Sequence, residues 1–324
     1  MKRVFIIGMV AALAAAAWAS PPKYKYEGEW GAFGTGNGQF GQSLGIGVAP
    51  NGNVYIADVD NHRIQYFTAT GSFRGKWGSF GTGNGQFQRP GCCAVAANRN
   101  VYVVEVDNHR VQVFTATGSF LRKWGQRGTG DGEFESPTSV VIAPNGNVYV
   151  GEWAGHRIQY FTPAGSFLGK WGKHGAGNGQ FICPQVSAFS SSGNHIYVAD
   201  PGNNRIQYFT LAGSFLGKWG KKGSGPGELR DPYGVGRGPL NVYYVTDRLN
   251  NRVQYFTSTG SYLGQFGKGG SGRGQFDSPL EIKINTKSWR MYVGDDDNSR
   301  VQYFKYTNPA VAPASLGKVK ALFK

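Results

Sequence analysis

Cysteine, methionine and histidine are scarce in this chain: three, three and five among 324 residues. Cys92 and Cys93 are neighbours and Cys183 lies far from both, so no disulfide framework can be drawn. Two small buried thiols are expected at 92 and 93 in preference to a strained vicinal bridge, and no histidine is placed to activate a sulfur nucleophile. Sustained helical periodicity is missing outside the first residues and the last ten, which excludes a helical bundle or an alternating α/β chain. The one long apolar run, residues 4–17, is shorter than the roughly 20 residues that a membrane-spanning helix takes. Acidic residues are outnumbered by basic ones, 19 to 34, which leaves a net charge of +15 and favours polyanionic partners.

What the chain does have is glycine and aromatic rings: 51 glycines, 8 tryptophans, 17 tyrosines and 21 phenylalanines. That mixture suits many tight turns between small packed sheets, and an apolar share of 40% is enough for a real core. An aromatic residue recurs at Trp30, Trp77, Trp124, Trp171, Trp219 and Phe266, at intervals of 47 or 48 residues. Arg63, Arg110, Arg157, Arg205, Arg252 and Arg300 keep step with it. Each copy holds four short β-type runs, in the first copy near 44–49, 54–58, 63–67 and 73–77, separated by turn sequences such as PNGN and TATGS. The fold class this predicts is all-β: a six-bladed β-propeller of four-stranded antiparallel blades. The sixth copy stops after its third strand at residues 301–304, while residues 26–31 align with 73–78. The N-terminal strand is therefore expected to close the last blade and hide two sheet edges.

The domain organisation expected is a signal peptide at 1–19, a propeller at 20–307, and a Pro/Ala linker with a short basic tail at 308–324. Lys2 and Arg3 precede the apolar run, and Ala17-Trp18-Ala19 offers a small-x-small cleavage site. Removal of that leader takes the net charge from +15 to +13. A secreted or periplasmic protein with no transmembrane span in its mature chain follows, and a monomer is expected. In the tail, Leu316, Val319, Leu322 and Phe323 fit one helical face, as in a sorting or surface-attachment tag.

Asn61-His62-Arg63, Asn108-His109-Arg110 and Gly155-His156-Arg157, with the flanking GxGxGQF and VYVAD-like segments, resemble NHL repeats over residues 24–304. Copies four to six depart from that pattern, with Asn204, Asn251 and Ser299 in place of histidine. The resemblance implies a propeller but a wide range of functions. It implies a sensor or interaction module as the first expectation, a metal-dependent propeller lyase or hydrolase as an alternative, and an RNA-binding propeller as a further one. Export argues against nucleic acid. The reading for this chain is a non-catalytic binding scaffold that presents one propeller face to a protein or anionic glycan, with no cofactor.

Several repeated groups look chemical and read as scaffold. A carboxylate ends the second strand of every copy (Asp58, Glu105, Glu152, Asp200, Asp247, Asp295), and the repeated arginine five residues later should pair with it across the turn. The repeated histidines belong to different blades and should stand more than about 10 Å apart, too far for one zinc ion. His174 and His195 fall outside the repeated position, and neither is expected to meet another histidine. The GTGNGQF loops lack the Lys-Ser and helix of a phosphate cradle and read as blade connectors.

Candidate ligand-binding residues are therefore sought where the repeat breaks. Two of the blade-crossing loops, 32–41 and 79–88, carry no charge, whereas later ones carry Lys173, His174, Lys221, Lys222, Arg230 and Arg273. Trp153 stands in the turn of blade three, on the same rim, and Tyr233 opens the innermost strand of blade five. The innermost strands hold a second set. Lys283 replaces Gly47, Ala94, Val141, Ala188 and Gly236; Glu281 replaces Gly45, Cys92, Ser139, Val186 and Gly234; Arg237 replaces Val48, Val95, Ile142, Phe189 and Ile284. Charges near a narrow axis must pair, or meet water or a ligand. An ion network of Glu281, Lys283 and Arg237 is expected, with a ligand site as the alternative. No catalytic residue and no metal ligand is assigned.

Overall fold

The computed structural model describes residues 23–41 and 44–307. The expected signal peptide and C-terminal tail lie outside the described residues. Six four-stranded antiparallel sheets form the blades. Their inner strands are Leu44–Val48, Pro90–Val95, Pro137–Ile142, Gln185–Phe189, Pro232–Arg237 and Pro279–Ile284, each at one edge of its sheet. Short 3-10 turns at Pro201–Asn203, Pro239–Asn241 and Arg248–Asn250 are the only helical pieces among the described residues.

Ring closure is as expected. Tyr24–Trp30 pairs antiparallel with Arg300–Tyr306, with Trp30 opposite Val301 and Tyr26 opposite Phe304. This strand supplies the outer edge of the blade whose other strands come from the end of the chain. A buried tyrosine on the second strand bonds forward to a turn of the following blade in most blades, as Tyr55 Oη does to the Ala116 carbonyl at 2.9 Å. Tyr292 Oη continues the pattern across the closure, donating to the Ala69 carbonyl at 3.1 Å. Blade five breaks it: the chain termini interrupt blade six where that turn would lie, and the buried Tyr244 hydroxyl has no partner among the described residues.

The core consists of layers between neighbouring blades, not one central mass. Tyr55, Ala57 and Ile64 of blade one, for example, pack on Cys93, Val101 and Val103 of blade two. The aromatic residue of each GQF motif seals the layer from the rim; Phe40, Phe87, Phe134, Phe181 and Phe276 are fully buried.

The rim is held by one polar device used in every blade. The carboxylate at the end of the second strand meets its arginine at 2.5–2.8 Å in all six blades. In blade one, Arg63 also donates to the Thr35, Gly36 and Gln39 carbonyls of the incoming loop, while Asp58 accepts from the Gly41 amide. The glycine-rich loop is thus strapped down by a buried, fully bonded guanidinium, which is the geometry that lets a buried charge persist.

Candidate functional site

The repeated histidines are structural, and two of the three departures from them are equivalent to them. His62, His109 and His156 lie in the left-handed region, and the Nδ1 of each accepts a backbone N–H from the next blade, of Arg89, Ser136 and Cys183, all at 3.2 Å. In blades four and five, the side-chain oxygens of Asn204 and Asn251 accept the equivalent N–H groups of Asp231 and Ser278 at 3.1 and 2.9 Å. Asparagine tolerates this backbone conformation and supplies the same acceptor. One expectation needs correction. His174 does meet another histidine: its ring lies 4.7 Å from that of His156, because the loop leaving blade three folds back over that blade's own turn. Among the described residues, no group of three or more His, Cys, Asp or Glu side chains is arranged to hold a metal.

The rim candidates spread over the crossing-loop face instead of converging. Lys221 makes a surface contact of 3.2 Å with Glu228, and the Arg230 amide donates to Asp247 at 2.7 Å. Lys173 and Lys222 share the short backbone bridges that close their loops, and Arg273 lies on the loop beyond. Trp153 is 40% exposed, with its amide bonded to the Ser136 carbonyl. The structure adds a feature that charge alone did not reveal. The three most exposed large apolar side chains of the described residues, Phe33 (74%), Phe80 (65%) and Leu249 (51%), all sit on this same face. Phe33 and Phe80 occupy the place that Arg127, His174, Lys222 and Gly269 take in other crossing loops. The available signal was that place itself, an aromatic residue where the sister loops are basic or bare.

The axial candidates divide into two groups. Near the crossing-loop end the axis is filled: Cys92, Ser139, Gln185, Val186, Leu280 and Glu281 are all buried. Tyr233 belongs to this plug; burial, then the Glu281 carboxylate, raises its phenol well above the ordinary range. Lys283 donates to Glu281 Oε1. Burial alone would lower the Lys283 ammonium, but the adjoining Glu281 carboxylate outweighs it, and the group titrates above its ordinary value. Burial pushes the Cys92 thiol up to about 12, so neither the plug nor its neighbours offer a nucleophilic sulfur.

Beyond the plug the axis opens into a cavity of about 590 Å³, bordered by Pro50, Asn98, Pro144 and Thr286 of the turns between first and second strands. Those turns lie on the face opposite the crossing loops. Arg237 and Lys283 line this cavity, and no carboxylate does among the described lining residues. The expected three-residue ion network is therefore a pair. Arg237 ends its strand at the cavity mouth and makes no hydrogen bond or ion pair among the described residues.

Comparison with known proteins agrees with the geometry. Segments 42–67 and 87–114 match the NHL repeat family. A 52-residue stretch is 40% identical to the B-box type zinc finger protein ncl-1 of Caenorhabditis elegans; it covers 16% of this chain and only 6% of that protein's length. Among solved structures, an auxiliary nutrient binding protein from Bacteroides thetaiotaomicron superposes with a TM-score of 0.64 at 14% identity, over 88% of this chain and 73% of that one. A streptogramin B lyase superposes with a TM-score of 0.59 at 13% identity, over 88% and 98%. The virginiamycin B lyase of Staphylococcus aureus does so with a TM-score of 0.58 at 15% identity, over 87% and 99%. At such identities the likeness is one of fold. The chain carries NHL repeats on a six-bladed propeller.

Proposed function

We propose that this chain is an exported, non-catalytic binding propeller whose crossing-loop face docks a protein with an acidic surface. The observation that carries the reading is the exposure of Phe33, Phe80, Leu249 and Trp153 on loops and turns of one face, with Lys173, Lys221, Lys222 and Arg273 around the same rim. Exposed aromatic residues on a rigid scaffold provide the anchors of an interface, and surrounding charge speeds and orients the encounter. The strand-end acids are locked to the scaffold by the repeated arginines, and of these four basic residues only Lys221 has an ion pair among the described residues, with Glu228. Fold likeness to a nutrient binding protein supports a binding role in general terms. Export rests on Lys2, Arg3 and the apolar residues 4–17, and no helix of the described residues is long and apolar enough to cross a membrane.

The test is affinity capture with the full secreted chain from the producing cells' envelope and medium, wild type against a Phe33→Asp/Phe80→Asp variant. The expected result is an acidic protein captured by wild type, lost with the variant, and weakened as salt rises through the range where the Debye length falls below about 10 Å. Equal capture by both proteins would overturn the reading. Undiminished binding of the variant to an anionic glycan array would transfer it to a glycan, and stoichiometric metal with turnover in the purified protein would replace it with an enzymatic one.

A further inference from the structure

We infer that the axial cavity on the opposite face is a binding site for a small monocarboxylate with an apolar body, held by Arg237. Its volume of about 590 Å³ falls inside the range of roughly 300–1,000 Å³ typical of small-molecule sites. Its walls come from Val95, Val141, Ile142, Phe189 and Ile284, apolar side chains from several blades. Against them stand two cations on adjacent strands and no lining acid among the described residues. Lys283 is neutralised by Glu281, which is itself buried in the plug. Arg237 is not neutralised, so the cavity has one uncompensated positive charge at its mouth and none of the opposite sign in its lining.

The identity of the displaced residue sharpens the inference. At the place of Arg237 the other five inner strands carry Val48, Val95, Ile142, Phe189 and Ile284, so the scaffold accepts an apolar side chain there. The guanidinium present in their place lies near the neutral Tyr243 phenol and makes no hydrogen bond or ion pair among the described residues. What it offers is a planar, permanently charged fork that matches a carboxylate with two parallel hydrogen bonds. Ser187, Ser190, Ser191, Asn98 and Thr286 also line the cavity, but Arg237 is its one unpaired charge, which favours a monoanion whose apolar body lies on the Val95, Val141, Ile142, Phe189 and Ile284 walls. The site is separate from the proposed docking surface: the buried Gln185, Leu280 and Glu281, with the half-buried Tyr233, stand between them.

The experiment is calorimetric titration of the full chain with decanoate, and with decanol and decylammonium as probes of the same length that lack the negative charge. Decanoate should bind at least about tenfold more tightly than either, the ratio expected of one charge-assisted bidentate contact. Arg237→Val should lose at least that factor while keeping the melting temperature, since valine fills this place in two sister blades. Arg237→Lys should fall between, because an ammonium keeps the charge without the fork. Decanol or decylammonium binding as tightly as decanoate would overturn the inference. So would an unchanged affinity in Arg237→Val, or no binding of decanoate at about 1 mM, where only a few kcal/mol are needed. None of these outcomes touches the crossing-loop face, so the two proposals fail independently.

Discussion

Replacing Trp30 by alanine tests whether the N-terminal strand is a structural member of the ring or only a trailing segment laid on it. The indole is wedged between blades: Tyr292 and Tyr303 of blade six lie at 6.0 and 5.6 Å, and Phe67 of blade one lies at 5.8 Å, centroid to centroid. Gly71 of blade one approaches so closely that a Cβ there would stand 2.7 Å from the ring. Removing a core tryptophan costs about 3–5 kcal/mol; Trp30 is half-buried, so the lower end, about 3 kcal/mol, applies. For a domain of this size that corresponds to a drop of roughly 6–12 °C in Tm. Trp124→Ala is the control, because Trp124 packs in the same way on Tyr102 and Phe161 at 6.2 and 5.7 Å inside an uninterrupted part of the ring. Both variants should unfold cooperatively in urea, followed by far-UV circular dichroism, with losses equal to within about 1 kcal/mol. Trp30→Phe should recover most of the loss, since blade five carries Phe266 at this place and the indole N–H of Trp30 has no hydrogen-bond partner among the described residues. A Trp30→Ala protein as stable as wild type, beside a clearly weakened Trp124→Ala, would mean that the N-terminal strand does not close the ring.

Three further outcomes are expected. Burial, then the neighbouring His174, holds the His156 imidazole below its ordinary range, and burial, then Arg127, does the same to His109. A histidine depressed in the native state binds fewer protons folded than unfolded, so stability is lost as pH falls through the interval below the ordinary histidine value. Wild type should therefore lose about 1 kcal/mol per link on acidification from about pH 7 to pH 5, and His109→Asn/His156→Asn, which copies Asn204 and Asn251, should flatten that slope in Tm against pH; an unaltered slope counts against it. Glu281→Gln leaves the half-buried Lys283 without its counter-charge and should cost about 3 kcal/mol, the lower end for a buried pair, in urea unfolding, whereas Glu281→Val/Lys283→Ala, the residues of blade four, should restore most of it; a double variant as unstable as the single one would refute the pairing. Gly118→Ala and Gly132→Ala separate two roles of glycine: both have φ near +90°, at 96° and 79°, but a Cβ on Gly118 would meet the Trp77 ring at 2.6 Å while one on Gly132 meets nothing within 4 Å. Gly132→Ala should cost about 1–2 kcal/mol and Gly118→Ala about 2–4 kcal/mol, and equal losses would show that packing on Trp77 is not at stake.

The architecture was legible because a closed ring of like blades repeats every local decision six times. A single Trp or Arg is ambiguous, but Trp30 to Phe266 at a steady interval, in phase with Arg63 to Arg300, leaves one arrangement in which each pair can form. The strap of Asp58 and Arg63 was readable for the same reason, since a five-residue step across a two-strand turn puts the two groups side by side. The meeting of His156 with His174 was not readable, because it depends on how the loop leaving blade three folds back over that blade's turn, and no spacing encodes that. The mouth of the axial cavity was not readable either. Arg237 and Lys283 sit one place apart in the aligned inner strands, which suggested contact, yet Lys283 turns to Glu281 and Arg237 is left at the mouth. The exposure of Phe33 and Phe80 was not readable, because in a chain whose repeated aromatic residues fill the core no local pattern separates a ring on the surface from one more core ring.

A break in a repeat has functional weight only when the scaffold does not supply what the new side chain needs. Asn204 and Asn251 break the histidine pattern but accept the same inter-blade N–H, so the departure is an equivalence. Glu281 and Lys283 break the inner strand together and satisfy each other, which accounts for both without any outside partner. Arg237 breaks it alone, and no carboxylate among the described residues pairs with the charge it brings. Phe33 and Phe80 likewise leave large apolar area in water where sister loops place Arg127, His174 or Lys222, a net loss for the isolated fold. Selection on folding alone would favour valine at 237 and a charged or small residue at 33 and 80. The two proposals supply what the scaffold does not, and because Arg237 and the two phenylalanines lie toward opposite ends of the axis, they call for two different occupants.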